Sequence, residues 1–110
     1  MKNPIINEND DKFWYNEKGQ YHRDDGPAIE YQNGSKEYYQ NGLLHREDGP
    51  AIEYGLAAGH GKLHKQWRLH GKLHREDGPA FEGINGDKEY WINGVQYDSL
   101  DAGLMDQALS

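Results

Sequence analysis

The octet LHREDGPA stands at residues 44–51 and again at 73–80, and YHRDDGPA occupies 21–28. Each copy carries a histidine, an arginine and two carboxylates. Such triplication is either repeated chemistry, as in three metal or acid/base sites, or repeated architecture. Internal repeats decide a fold before any other signal does. The turn glycines around the octets favour architecture. Lys-Gly, Asn-Gly, His-Gly and Asn-Gly dipeptides end at Gly19, Gly42, Gly71 and Gly94, with spacings of 23, 29 and 23. Comparing AIEYQNGSKEYYQNG (28–42) with AIEYGLAAGHGKLHKQWRLHG (51–71) places six extra residues around Gly55 to Lys62, so the underlying period is 23.

Each unit reads as two strands. The short one carries aromatic residues, as in FWYNE, KEYYQ, KQWRL and KEYWI. A two-residue turn follows, and Asn-Gly is the strongest short hairpin signal because both positions accept positive φ. The longer strand, as in LLHREDGPAIEY, must bend at Asp-Gly-Pro, since proline gives no N–H to a ladder and glycine weakens one. The expected fold class is therefore all-β, a single antiparallel sheet of repeated β-hairpins spanning residues 13–97. After Gly94 the pattern stops, with Tyr97 where a histidine would stand. Residues 98–110 read as a short helical cap, with Asp98 or Ser99 at its N-cap and Leu100, Leu104 and Ala108 at helical spacing. Residues 1–12 are a polar N-terminal segment in which Ile5 and Ile6 clip the opposite end, since terminal repeats need covering.

Alignment on the turn glycines puts Tyr15, Tyr38, Trp67 and Tyr90 in one column and Asn16, Tyr39, Arg68 and Trp91 in the next. Successive strand residues face opposite sides. The uniform column is expected to form a continuous aromatic ridge in the core, and the ragged one to face outward. Trp14 shares the outward parity of Tyr39.

Composition agrees with a thin fold. Hydrophobic residues make up only 35% of 110, mean hydropathy is −1.13 and net charge is −7. That approaches the composition of disordered chains, but eight Tyr, three Trp and two Phe supply the area a folded chain needs. A core built mainly of rings is expected. With no cysteine there are neither disulfides nor thiolate zinc sites. No stretch has the apolar length of a membrane span or a secretory signal, so a cytoplasmic location is expected. The acidic balance argues against direct binding to nucleic acid or membrane and for a basic protein partner.

The octets do not read as reactive sites. His22, His45 and His74 lie two strands apart, roughly 10 Å, whereas zinc–nitrogen bonds are about 2 Å. No single ion joins them, and neither a metal nor a cofactor is expected. Asp25, Asp48 and Asp77 each follow an arginine by two residues, which favours the charged carboxylate, the opposite of what a general acid needs. An active site is also one asymmetric constellation rather than three near-copies. His22, Asp25, His45, Asp48, His74 and Asp77 are therefore structural, fixing the bend. The richer group of His60, His64, His70 and His74 leaves a small-ligand or metal-binding module as an alternative.

The 23-residue period, the W/Y…NG…H…DG order and the alternating strand lengths resemble MORN-type repeats. HRDDGPA and HREDGPA resemble the variant repeat of small phage, bacterial and giant-virus proteins. The resemblance covers roughly residues 13–97 and implies a hairpin solenoid used for scaffolding and binding rather than for one reaction. HREDGPA replaces the common Gly-x-Gly, which with the negative charge sets aside the lipid-binding role of MORN proteins. The function so implied is non-enzymatic: an acidic protein-binding module, read as a phage-encoded inhibitor of a host defence or nucleic-acid-processing protein (an anti-CRISPR or similar anti-defence role). Related bacterial MORN-like proteins are antitoxins, which makes neutralisation of a cognate toxin the alternative. Candidate partner-binding residues are Trp14, Tyr39, Arg68 and Trp91, with Gly55 and His60 in the loop that breaks the repeat. An open sheet also has two edges through which a homodimer could pair.

Overall fold

Turn chemistry sets the topology. At Asn41-Gly42, His70-Gly71 and Asn93-Gly94 both residues have positive φ: 49° and 85°, 50° and 84°, 51° and 81°. This is the type I′ geometry, whose twist matches the strands it joins. It closes β5 (Tyr39–Gln40) on β6 (Leu43–Leu44), β9 (Arg68–Leu69) on β10 (Lys72–Leu73) and β12 (Lys88–Ile92) on β13 (Val95–Tyr97). The other turn type is a three-residue loop. Between β3 (Ile29–Glu30) and β4 (Lys36–Glu37), Tyr31 N–H donates to Ser35 O and Gly34 takes φ 92°.

The computed structural model describes residues 3–54, 64–83 and 85–109. They form a nine-stranded antiparallel sheet in the order β1 (Ile5–Ile6), β2 (Lys12–Phe13), β3, β4, β7 (Ile52–Tyr54), β8 (His64–Gln66), β11 (Phe81–Glu82), β12, β13. Hairpins β5–β6 and β9–β10 are separate two-stranded ladders, so the single sheet expected from the sequence is divided. The octets divide it: residues 45–51 and 74–80 leave the ladder at Asp-Gly-Pro, splitting each long strand in two. Backbone bonds still join each hairpin to its predecessor, Gly42 N–H to Tyr21 O (2.9 Å), Gly71 N–H to Leu44 O (2.7 Å) and Gly94 N–H to Leu73 O (2.9 Å).

The register gives the two faces opposite characters. One face carries Lys12, Glu30, Lys36, Glu53, Lys65, Glu82 and Lys88 directly opposite one another, a ladder of alternating sign. The other carries Phe13, Ile29, Glu37, Ile52, Gln66, Phe81 and Glu89 in line. Trp14, Ala28, Tyr38, Ala51, Trp67 and Ala80 stand two residues from ladder charges and so share the ladder face.

The molecule measures 47 × 34 × 16 Å, and a slab this thin encloses few large side chains. The buried set accordingly departs from the expected aromatic core. Among the described residues Ala28, Ala51 and Ala80 are wholly buried, with Ile29, Ile52 and Ile92 nearly so, and Trp14 is the one ring in that set. The C-terminal cap forms as α1 (Leu100–Leu109), N-capped by Ser99, whose Oγ accepts the Ala102 N–H at 3.1 Å. Gly103 lets it close on the sheet, since a Cβ there would meet Tyr97 at 2.9 Å and Ile92 at 3.0 Å. At the far end β1 pairs with β2 but leaves Ile5 and Ile6 exposed.

Candidate functional site

Each octet is organised by its arginine. Arg23 donates Nε–H to Asp25 (2.9 Å) and Nη1–H to both Pro27 O (3.1 Å) and Glu30 (3.1 Å). Arg46 repeats the set on Asp48 (3.1 Å), Pro50 O (3.1 Å) and Glu53 (2.7 Å). Arg75 does so on Asp77 (2.8 Å), Pro79 O (3.1 Å) and Glu82 (3.3 Å). The guanidinium planes also lie over Trp14, Tyr38 and Trp67, with Cζ 3.8, 4.0 and 3.9 Å from the ring centroids. Here the fork of a guanidinium is needed, because a point charge cannot bond in several directions while stacking. The Arg75 guanidinium holds the Asp77 carboxyl below the usual carboxylate range.

Glycine is required at the same place for a steric reason. A Cβ on Gly26, Gly49 or Gly78 would stand 3.1, 2.9 or 2.7 Å from the Cζ of Arg23, Arg46 or Arg75. To withdraw, the arginine would have to give up bonds to its aspartate, the proline carbonyl and the ladder glutamate.

Each octet histidine holds the next turn. Nδ1 of His22 accepts the Asn41 N–H (3.0 Å), that of His45 the His70 N–H (2.9 Å) and that of His74 the Asn93 N–H (2.9 Å). In each case the donor is the first positive-φ residue of a type I′ turn. An accepting Nδ1 leaves the ring hydrogen on Nε2. That nitrogen lies 3.1 Å from Asp24, 3.8 Å from Glu47 and 3.3 Å from Glu76 in the three octets. Among the described residues no three His, Asp or Glu side chains are grouped as a metal would need.

The aromatic columns differ from the sequence alignment by one residue in the first unit. His22 N–H bonds Trp14 O, just as His45 N–H bonds Tyr38 O and His74 N–H bonds Trp67 O. Trp14, not Tyr15, is therefore the ring under arginine, and at 8% exposure it is not the outward anchor the parity argument made it. The cause is the first hairpin, where Asn16 N–H reaches Gln20 O around a three-residue loop with Gly19 at φ 78°. One extra loop residue turns every upstream side chain to the other face. A signal for the true register is present in the sequence: Lys12, Lys36, Lys65 and Lys88 each precede the ring by two. The continuous ridge expected in that column is replaced by three rings each roofed by its own arginine. Ring contacts run instead along the opposite face, Phe13–Tyr21–Tyr15 and Tyr21–Tyr39 at 6.3, 5.2 and 5.1 Å.

Tyr39, Arg68 and Trp91 of the ragged column are on that opposite face, as their parity requires, whereas the shift in the first unit takes Asn16 out of the column; the three are half-buried and engaged. Tyr39 hydroxyl, Arg68 Nε–H and Trp91 Nε1–H each donate to the acceptor two residues back: Glu37 (2.8 Å), Gln66 (2.8 Å) and Glu89 (2.9 Å). Glu37 is buried and also accepts from Tyr31 (2.9 Å) and Tyr54 (3.0 Å). Burial first, and then the Glu37 carboxylate, push the Tyr54 phenol up to about 12, and raise those of Tyr31 and Tyr39 as well. This cage was not read from the sequence, because its members lie in the β3–β4 turn and on β4, β5 and β7, which only the register brings together. Gly55 and His60 lie outside the described residues, so the loop that holds them contributes nothing to this description.

What the octets leave to solvent is negative. The side chains of Asp24, Glu47, Asp48, Glu76 and Asp77 are 70–88% exposed and that of Asp25 is 48% exposed, whereas the three arginines are 19–23% exposed. Comparison with known proteins adds no relative: no family model, no curated protein and no solved structure matches the chain.

Proposed function

We propose that this chain is a non-enzymatic, acidic protein-binding module whose partner presents a basic or nucleic-acid-binding surface. One observation carries the reading: three octets aim six carboxylates at solvent while turning their arginines inward onto rings. Such a row attracts cations and repels polyanions, so direct nucleic-acid binding is not part of the proposal. The non-enzymatic reading is supported by where the reactive-looking groups are spent. Each octet arginine is bonded to the aspartate two residues on and each octet histidine to the next turn, and the same set is made three times.

Recurrence of one bond, from a turn N–H to the preceding histidine, also supports a MORN-like hairpin solenoid with a 23-residue step. With the likeness of HREDGPA to phage and bacterial repeats, this supports a narrower function. The chain would occupy the basic groove of a host defence or nucleic-acid-processing protein, in the bacterial cytosol where such proteins act.

The test is titration against a purified basic DNA-binding protein with duplex DNA as competitor. Affinity should fall steeply as salt rises, and DNA and this chain should exclude each other. Affinity indifferent to ionic strength, or a ternary complex with DNA, overturns the reading.

A further inference from the structure

Between consecutive octets the ladder face is grooved. A cavity of about 720 Å³ separates octets 21–28 and 44–51, floored by Tyr38 and Gln40. A second of about 640 Å³ separates octets 44–51 and 73–80, floored by Trp67 and Leu69. A third, of about 440 Å³, lies against Trp14, Tyr15 and Glu17 beside the first octet. The walls are octet side chains, and their charge is unequal: each octet supplies one arginine against two carboxylates. The arginine is already matched by Asp25, Asp48 or Asp77 and by a ladder glutamate. The second carboxylate, Asp24, Glu47 or Glu76, faces a histidine Nε2 and, among the described residues, has no arginine or lysine paired with it.

We propose that these grooves seat the side chains of an extended basic protein segment, one Arg or Lys per groove, with the segment running across the strands. The inference rests on the acidic binding role proposed above and names its face and its partner's pattern. Octets are two strands apart in the sheet order, which is about 10 Å. An extended chain in the polyproline II conformation rises about 3.1 Å per residue and returns to the same face every third residue, so three residues span one groove-to-groove step. The partner therefore carries its cations at every third position. The aliphatic stem of each lies on the aromatic or aliphatic floor, and its head group meets the unmatched carboxylate.

Labelled peptides of one composition, with three arginines spaced every second, every third or every fourth residue, test this by fluorescence anisotropy. The third-residue peptide should bind at least about fivefold tighter than the others. The triple variant Asp24→Asn, Glu47→Gln, Glu76→Gln should weaken it by about tenfold, at the scale of exposed charge pairs summed over three grooves. Its melting temperature shows that the fold is retained; should it unfold, Glu47→Gln alone is used and at least a twofold loss is expected. Equal binding of all three spacings, or an unaffected variant, overturns the inference. If the basic DNA-binding protein still binds the triple variant normally in a salt-sensitive way, the groove assignment falls and the acidic binding role stands. If neither peptide nor protein binds, both fall.

Discussion

The octet arginine joins three elements by one side chain: its own Asp, the carbonyl before the next strand, and the ladder glutamate. Arg46→Lys keeps the charge but loses the fork and the stacking, and should cost about 2 kcal/mol in urea unfolding. Arg46→Met, which also removes the charge from between Asp48 and Glu53, should cost more. Gly78→Ala forces a Cβ to within 2.7 Å of the Arg75 Cζ and should destabilise by about 1–3 kcal/mol. Gly26→Ala, with 3.1 Å available, should cost less, and equal costs would argue against the steric account. His45→Ala orphans the His70 N–H at a turn and should cost about 1 kcal/mol, with amide exchange at residue 70 accelerated.

At the scale of elements, loop length decides which ring is covered. Deleting Lys18 would shorten the first loop and draw Tyr15 into the position under Arg23, expelling Trp14. The expected result is a red-shifted tryptophan emission and a loss of roughly 2 kcal/mol or more, since Phe13 and Ile29 would also lose their alignment. A second element-scale device is the tyrosine cage formed by the β3–β4 turn with β4, β5 and β7. Unfolded tyrosines ionise near pH 10, whereas Tyr54 does so at about 12 and Tyr31 and Tyr39 are also raised. Above about pH 10 the unfolded chain therefore binds fewer protons than the folded one, and stability must fall as pH rises. Below that the cage contributes in full. Alkaline titration followed by tyrosinate absorbance should show a late group of tyrosines ionising together with loss of structure. In Tyr54→Phe that late group should be smaller.

For the whole molecule, thinness is the governing constraint. A slab 16 Å deep buries few side chains completely, so its ends matter as much as its middle. Ile92 is 2% exposed because α1 lies against it and Tyr97. Removing residues 100–110 should uncover it, cost about 1.5–3 kcal/mol and lower the melting temperature. It should also bring concentration-dependent association in light scattering, because β13 would then be a bare edge beside an exposed isoleucine. A truncated chain that melts like the full one would show the cap to be dispensable.

Much of this was written locally. Asn-Gly and His-Gly specify positive-φ turns, Gly-Pro stops a ladder, and Ser99 starts a helix; each is a preference of a few adjacent residues, legible without neighbours. The pairing of each octet arginine with the aspartate two residues on was legible too, because both partners are local, whereas the bonds from the histidines to turns 19 or 25 residues away were not. The sequence alone could not say which of Trp14 and Tyr15 lies under the arginine, that lysines and glutamates would alternate across seven strands, or that three tyrosines would close on Glu37. Those depend on register, and register accumulates every loop length before it. A single added residue leaves all local preferences intact and exchanges the two faces of a strand, so only the assembled sheet decides what each side chain meets.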